Sequence, residues 1–323
     1  MKAAVLHALG KAPIYTDFPD PVPLNEDQIL IKVTAAAVKN LDKAIASGAH
    51  YSSNKDTFQP VVVGVDGVGI LEDGSKVYAP GVQGMMAEKA LIDKDRLVKL
   101  PPQLDDATAA ALPNAILGAA AALLYRAKIS PGQTVLINGA AGVTGRIAIQ
   151  LAKYYGASQV IVTGRNIEVL EALKDLGADE FLSLKQEDQL FIKTLRDMHQ
   201  IKPIDIVIDY LWGHPAELIL TALKGNGTFT TALKFITVGA MVGDKIQLSS
   251  AVLRSANIEL MGSGFGSLPE DAMQKLFREV LPELLQLAAE GKLKIETVTA
   301  SLQAIASAWD MEVPSGKRLV IKI

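Results

Sequence analysis

The 323-residue chain contains no cysteine, and this absence excludes disulfide bonds and metal sites with thiolate ligands. Its formal net charge is only −3, so nothing favours nucleic acid or an anionic membrane surface as a partner. It also lacks an uninterrupted apolar run of about 18 residues, the length that a membrane helix needs. The first apolar run, Met1–Leu6, is too short for a signal peptide. These absences predict a cytoplasmic protein with no membrane or nucleic-acid partner.

The chain is rich in apolar residues, which make up 49% of it, and its length is enough for two domains. Residues 1 to about 113 contain short alternating or glycine-broken segments, such as Gln28–Thr34 and Val61–Ile70, which predict a small β-barrel. An alanine-rich helix follows, and Pro113 is expected to break it. From Thr134 onward, apolar strands alternate with helical patterns, as is typical of a doubly wound parallel sheet.

The clearest motif is a strand, a turn of small residues and a helix between Thr134 and Lys153. In the turn, Ala140, Gly142 and Gly145 occupy the three glycine positions of the dinucleotide fingerprint G-x-G-x-x-G. A strand that turns tightly into a helix directs backbone N–H groups and the positive end of the helix dipole toward one point. This arrangement predicts a binding site for the pyrophosphate of a dinucleotide.

The choice between NADH and NADPH depends on the end of the second strand, Val160–Thr163, where Gly164, Arg165 and Asn166 follow. An acidic residue there would bind the ribose hydroxyls and repel a 2′-phosphate, whereas an arginine pairs with that phosphate. The sequence therefore predicts NADPH, with Arg165 as the phosphate ligand. The alternative is an arginine exposed to water at the start of a helix. Asn166 is expected to cap that helix and to contact the phosphate.

Further short motifs agree with one family in both sequence and order. They are Ser47-Gly48 after Asp42, Gly64–Gly69, Ala111–Pro113, Ala140–Gly145, Leu176–Asp179, Asp209–Gly213 and Gly316-Lys317. On these motifs the chain resembles, over nearly its whole length, the zinc-free quinone oxidoreductase-like branch of the medium-chain dehydrogenase/reductase superfamily.

The resemblance implies an α/β fold, in which a GroES-like β-barrel catalytic domain is combined with a Rossmann doubly wound parallel sheet. The catalytic domain is expected at 1–117 and 265–323, and the Rossmann NADP-binding domain at 118–264. The resemblance also implies an active site in the cleft between the domains. A homodimer is expected, with edge strands paired near Ile258–Ser263.

The reaction that the resemblance implies is hydride transfer from NADPH to a quinone or an α,β-unsaturated carbonyl substrate. Zinc-bearing relatives carry a cysteine at the position of Lys39 and a His-Glu pair after Gly64, where this chain has Val65 and Asp66. No metal is expected, so a hydrogen bond or a cation must polarise the substrate. The second hypothesis is an NADPH-binding regulatory or sensor protein with little catalytic turnover.

Two residues are candidates for catalysis. Lys39 is expected to stabilise a developing oxyanion or to hold a cofactor phosphate, and the alternative is a solvated lysine in a loop. Tyr51 is a candidate hydrogen-bond or proton donor, and the alternative is a packing aromatic residue. Asp66 is expected to be a structural acid of the barrel.

The expected cofactor contacts combine the fingerprint turn with residues at the ends of later strands, which lie on the ligand side of such a sheet. They are Asn40, Gly118, Ala141, Gly142, Val143, Thr144, Gly164, Arg165, Asn166, Tyr210, Val238, Gly239, Ala240, Gly262 and Ser263. Relatives usually carry asparagine at position 39 and threonine at position 118. These two departures leave the substrate open and keep the regulatory hypothesis in place.

Overall fold

The computed structural model of the protein describes residues 1–49, 58–227 and 230–323. These residues form two compact units. The split unit consists of Met1–Asn114 and Phe277–Ile323, and the central unit of Ala115–Leu276. The predicted domain ranges placed residues 115–117 and 265–276 in the catalytic domain, whereas in the structure these residues group with the central unit.

The strands in the described residues are mostly four to six residues long, and the longest has ten. They are β1 (Lys2–Leu6), β2 (Ile14–Asp17), β3 (Gln28–Ala37), β4 (Val61–Val62), β5 (Asp66–Ile70), β6 (Lys76–Pro80), β7 (Lys89–Asp93), β8 (Val98–Lys99), β9 (Thr134–Asn138), β10 (Gln159–Gly164), β11 (Glu180–Ser183), β12 (Ile206–Asp209), β13 (Leu233–Thr237), β14 (Ile258–Gly262), β15 (Glu296–Ser301) and β16 (Lys317–Lys322).

The α-helices are α1 (Asn40–Ser47), α2 (Asp106–Ala120), α3 (Val143–Tyr154), α4 (Ile167–Ala172), α5 (Asp188–Ile201), α6 (Gly213–Ala222), α7 (Ser250–Ser255), α8 (Glu270–Lys275), α9 (Leu281–Ala289) and α10 (Ile305–Trp309). Two π-helical segments extend them. Ala121–Ala127 continues α2, and Leu276–Val280 joins α8 to α9.

Most strands of the split unit form one sheet in the order β15-β16-β3-β5-β6-β8, with β7 also paired to β3, and β2-β1-β4 form a second sheet. The two glycines of β5 allow this strand to pack closely against β3. A Cβ on Gly69 would lie 2.6 Å from Cδ1 of Ile31, and one on Gly67 would lie 2.8 Å from the carbonyl oxygen of Ala35. The single predicted strand Val61–Ile70 is divided into β4 and β5, because Gly64 between them has a φ of +96°.

The central unit contains six parallel strands in the order β11-β10-β9-β12-β13-β14. This is the strand order of a Rossmann fold, so the predicted α/β doubly wound sheet is confirmed. Strands buried on both faces need continuous apolar sequence, and every residue of β9 and β12 is buried. The winding direction of the sheet reverses between these two strands.

Helix α2 corrects one expectation, since Pro113 lies inside the helix and does not break it. Its alanine and leucine neighbours are buried on both sides, and this packing outweighs the backbone hydrogen bond that a proline removes. By length and composition, Asp106–Ala127 is the one helix among the described residues that could cross a membrane. However, 78% of its apolar window is buried inside the protein, as in the core helix of many globular domains, so this feature is weak support for a membrane span.

Candidate nucleotide site and buried charge cluster

Most of the predicted cofactor contacts meet at one edge of the central sheet. Because all six strands are parallel, their carboxyl ends share this edge. The register places Thr163, Asn138, Asp209, Thr237 and Gly262 side by side in one row across five strands. Ligands of such sheets bind where the winding reverses, which here is between β9 and β12. The loops that follow these strands form the candidate nucleotide site.

The fingerprint turn has the close packing that a dinucleotide site requires. A Cβ on Gly145 would lie 2.6 Å from Cα of Ala140, so only glycine lets α3 pack this closely against the turn. Gly142 is exposed and precedes the first residue of α3. The first backbone N–H groups of a helix, here at Val143 and Thr144, have no acceptor within the helix. These residues fit the diphosphate of a dinucleotide.

The residues expected to recognise the 2′-phosphate lie at the end of the neighbouring strand. Gly164 is the last residue of β10 and is buried, whereas Arg165 and Asn166 are exposed. The side chain of Asn166 accepts a hydrogen bond from the backbone N–H of Val169 at 3.3 Å, so the predicted cap of α4 is confirmed. Arg165 therefore stands at the edge of the sheet, between the strand and the capped helix.

A buried row of polar side chains, the edge network, lies beneath these loops. It consists of Thr163, Asn138 and Asp209. The hydroxyl of Thr163 donates to the side-chain oxygen of Asn138, whose amide donates to Asp209 Oδ1 at 2.7 Å. Burial raises the pKa of Asp209 above its ordinary value, although the hydrogen bonds that its carboxylate accepts act in the opposite direction. The network joins the three central strands through neutral partners and one carboxylate.

Asp209 also holds a strained loop. Its carboxylate accepts hydrogen bonds from the backbone N–H groups of Leu211 at 3.0 Å and Trp212 at 3.1 Å. Trp212 has φ 54° and ψ −158°, a backbone conformation that side chains other than glycine rarely adopt. Its ring packs edge-on against Phe235 in the core, with centroids 6.3 Å apart. The ring of Trp212 therefore packs in the core, and the buried carboxylate of Asp209 stabilises the loop that carries it.

Tyr210 directly follows β12, one of the two strands between which the winding of the sheet reverses. Its side chain is buried, and its hydroxyl has no hydrogen-bond partner among the described residues. Burial, with a smaller contribution from the charge of Asp209, raises the pKa of this phenol. An unpaired buried hydroxyl is costly. The orphaned donor is therefore a second feature of this edge that fits a polar ligand.

The other predicted cofactor residues divide between the two units. Val238, Gly239 and Ala240 follow β13, and a Cβ on Gly239 would approach the carbonyl oxygen of Tyr210 to 3.0 Å. Ala141 lies within the fingerprint turn, and the remaining four residues are more dispersed. Gly262 ends β14 and Ser263 follows it, a Cβ on Gly118 of α2 would lie 3.9 Å from Cγ2 of Thr144, and Asn40 begins α1 in the split unit.

One of the two predicted catalytic residues, Lys39, belongs to the split unit. Lys39 is buried, with its side chain only 1% exposed, so the alternative interpretation as a solvated loop lysine is wrong. Its ammonium group donates to Asp66 Oδ1 at 2.8 Å and to the carbonyl oxygen of Ala37 at 3.1 Å, and it lies 3.3 Å from Asp42 Oδ2. Tyr51 lies outside the described residues. The ammonium of Lys39 therefore has two hydrogen-bond acceptors and a third oxygen at ion-pair distance, all within its own unit.

Lys39 is part of a buried charge cluster, which consists of Lys39, Asp42, Asp66, Tyr78 and Arg318. Burial, together with the charge of Asp66, raises the pKa of the Tyr78 phenol. Burial would lower the pKa of Lys39, yet the nearby carboxylates hold it above the ordinary value, whereas burial raises the pKa of Asp66. The expectation that Asp66 is a structural acid agrees with this environment.

The sequence analysis missed Tyr78 and Arg318. Arg318 belongs to β16, a strand in which Leu319, Val320 and Ile321 are also buried. A charged residue inside such an apolar run was the available signal. Among the described residues, no group of three or more His, Cys, Asp and Glu side chains is arranged to hold a metal ion.

Comparison with known proteins agrees with this geometry. A family model described as zinc-binding dehydrogenase matches residues 143–288. The "Probable NADPH-dependent quinone reductase tdiC" of Emericella nidulans is 29% identical, with 96% of each chain covered. The "NADPH-dependent alkenal/one oxidoreductase, chloroplastic" of Arabidopsis thaliana is 34% identical over 55% of this chain, and the match spans half of that relative. The quinone oxidoreductase of Thermus thermophilus, described also in complex with NADPH, has the same fold, with a TM-score of 0.76, 23% identity and 100% of both chains covered.

The chain is therefore similar to a quinone reductase over nearly its whole length, and its residues 143–288 match the zinc-binding dehydrogenase family model.

Proposed function

We propose that this protein is an NADPH-dependent, zinc-independent reductase that transfers hydride to a quinone or an α,β-unsaturated carbonyl compound. The observation that carries the proposal is the edge of the central sheet, where the glycine turn, Arg165 and the unpaired hydroxyl of Tyr210 lie on neighbouring strand ends. The names of the quinone reductase and the alkenal/one oxidoreductase among its relatives support the substrate class. When bound, NADPH supplies the hydride.

The residues of the central unit then have separate tasks. The backbone N–H groups at the start of α3 bind the diphosphate, because a helix N-terminus stabilises negative charge. Arg165 pairs with the 2′-phosphate, since a guanidinium presents several donors to phosphate oxygens. The hydroxyl of Tyr210 donates to the bound nucleotide. The backbone around Gly239 and Gly262 leaves room for close approach, because neither residue carries a side chain.

Lys39 contributes by position in this proposal. Because its ammonium donors face Ala37, Asp42 and Asp66, it holds the two carboxylates and does not contact the substrate itself. Tyr51 stays a candidate proton donor on sequence grounds.

The decisive measurement is calorimetric binding of NADPH and NADH to the wild type and to Arg165→Ala. We expect NADPH to bind at least about ten-fold more tightly than NADH, and the substitution to remove most of this preference. The matched control is Arg254→Ala, which removes the same charge from an exposed position on α7. A preference that survives Arg165→Ala, or is lost equally in the control, contradicts the assignment of Arg165.

Turnover distinguishes the reductase from the alternative, an NADPH-binding regulatory protein. We expect the wild type to oxidise NADPH with at least one member of a panel of quinones and enones. NADPH binding without oxidation across the panel would favour the regulatory protein.

Two further proposals concern the state of the protein in the cell. We propose a homodimer in which β14 pairs with the same strand of a second copy. This strand is at the edge of the central sheet, where one side of its backbone has no neighbouring strand in the described residues. A monomeric mass at micromolar concentration would contradict it. A cytoplasmic location is proposed from the sequence alone.

A further inference from the structure

Trp212, in the loop between β12 and α6, has a backbone conformation that its residue type does not favour. Its φ of 54° and ψ of −158° strain any residue that carries a side chain, whereas glycine adopts them freely. Among the described residues, the other non-glycine residue with positive φ is Lys128, which lies in the ordinary left-handed region at φ 53° and ψ 55°. Strain of this kind persists only where surrounding contacts hold it, and it concentrates at functional sites.

Contacts on both sides hold Trp212 in this conformation. The carboxylate of Asp209 accepts hydrogen bonds from the backbone N–H groups of Trp212 at 3.1 Å and Leu211 at 3.0 Å. On the side-chain side, the indole ring packs edge-on against Phe235, with centroids 6.3 Å apart. The carbonyl oxygen of Leu211 in turn accepts from the backbone N–H of Val242 at 2.9 Å. These contacts fix the whole loop between β12 and α6.

The same loop carries features of the candidate nucleotide site. Tyr210, whose buried hydroxyl has no hydrogen-bond partner among the described residues, lies two residues before Trp212. The carbonyl oxygen of Tyr210 accepts from the backbone N–H of Met241 at 3.3 Å, and a Cβ on Gly239 would approach that oxygen to 3.0 Å. The position of the loop therefore determines both where the unpaired hydroxyl lies and how the segment after β13 packs.

We infer that Trp212 is a positioning residue of the nucleotide site, and that its strained backbone keeps Tyr210 and the segment around Gly239 in the geometry that binds NADPH. This inference rests on the proposed function. A glycine at this position would adopt the same dihedral angles without strain, but it would also permit many others. The loop would then become ordered only when the nucleotide binds, and the ordering would lower the affinity. With Trp212 in place, Asp209 and Phe235 hold the loop before binding.

Substitutions at this position separate the strain from the contact of the indole ring. Trp212→Ala and Trp212→Gly both remove the ring, but only alanine keeps a Cβ on the strained backbone. We expect the glycine variant to have a Tm about 2–5 °C above that of the alanine variant. In calorimetric titrations, both variants are expected to bind NADPH at least about five-fold more weakly than the wild type. Trp212→Phe keeps a ring against Phe235, so its affinity should stay within about two-fold of the wild type.

The matched control is Lys128, which lies toward the opposite end of the sheet. It follows Ala127, whose carbonyl oxygen accepts from the side chain of Lys234, near the start of β13, at 2.8 Å. We expect Lys128→Gly to have a higher Tm than Lys128→Ala, because glycine also relieves the left-handed backbone there. Both control variants should bind NADPH as the wild type does.

The outcomes separate this inference from the proposed function. Equal NADPH affinity in the wild type and the folded Trp212 variants would overturn the inference, because Trp212 would then serve the fold alone. Equal Tm values of Trp212→Gly and Trp212→Ala would also overturn it, as would a loss of affinity in the Lys128 variants that matches the loss at Trp212. Where Trp212→Ala fails to fold, the affinities of wild type, Trp212→Phe and Trp212→Gly decide. A wild type that binds no NADPH would contradict the proposed function itself.

Discussion

The two units of this protein bury charge in different ways. The split unit buries two cations against two carboxylates, with Lys39, Asp42, Asp66 and Arg318 in one cluster. The central unit buries a single carboxylate in its edge network, and the partners of Asp209 are an amide side chain and backbone N–H groups. One site is stabilised by opposite charges and the other by neutral hydrogen-bond donors.

The difference determines how each site responds when a partner is removed. An ion pair in a buried site depends on both members, and removing one leaves an uncompensated charge in a poorly solvated environment. A carboxylate held by neutral donors keeps some of its hydrogen bonds and is able to take up a proton instead. The split unit is therefore expected to be the more sensitive of the two to substitution, whereas Asp209 is expected to make the stability of the central unit decrease as pH rises out of the acidic range.

The largest effect is expected from Lys39→Met. This change leaves Asp42 and Asp66 without their shared cation, and we expect it to cost about 3–5 kcal/mol in the free energy of unfolding. Urea unfolding followed by circular dichroism measures the loss. The control is Lys43→Met on the exposed face of α1, which should unfold as the wild type does. Equal losses in the two variants would show that the cluster adds no special stability.

The difference in stability between the wild type and Lys39→Met also depends on pH. The folded pKa of Lys39 is raised, so its contribution to stability is fully present below the unfolded value of 10.5 and is lost as pH rises through the folded value. The difference between wild type and Lys39→Met should therefore persist at neutral pH and decrease only in the alkaline range.

The next largest effect concerns Asp209. Burial favours the neutral form of this acid, whereas the cluster favours the charged form of Lys39. Because burial raises its folded pKa, the protonated carboxyl stabilises the fold below the unfolded value of 3.8, and this contribution is lost as pH rises through the folded value. Replacement by asparagine removes the titration. We expect the stability of the wild type, relative to Asp209→Asn, to fall as pH rises across this window. Chemical unfolding at a series of pH values measures it, and a difference independent of pH would contradict the assignment.

The smallest effect on stability is expected from Tyr210→Phe. Its hydroxyl has no partner among the described residues, so its removal should change the free energy of unfolding by less than about 0.5 kcal/mol. NADPH affinity should nevertheless fall by about ten-fold, if the hydroxyl donates to the nucleotide. Thermal unfolding and calorimetry on the same samples separate the two effects. An unchanged affinity would remove Tyr210 from the site.

Much of the fold was predictable from the sequence, because its signals are local. The strand, turn and helix around Gly142 follow from apolar periodicity and from glycines in a short segment. The alternation of strands and helices after Thr134 predicts the doubly wound sheet, and Asn166 caps its helix by a contact three residues away. Pro113 shows the limit, since its effect on α2 depends on burial that the local sequence does not specify.

The two candidate sites also differ in how far the local sequence predicts them. The sequence by itself determined the nucleotide edge, since in a parallel sheet the residues that follow each strand must lie at one edge. Only the tertiary structure decided the buried charge cluster. Arg318, Lys39, Asp66 and Tyr78 come from, or directly follow, the adjacent strands β16, β3, β5 and β6, and strand pairing brings them together across up to 279 residues of chain (318 − 39). Burial and charge balance arise only when these distant segments pair, so no local pattern distinguishes a buried lysine from a solvated one.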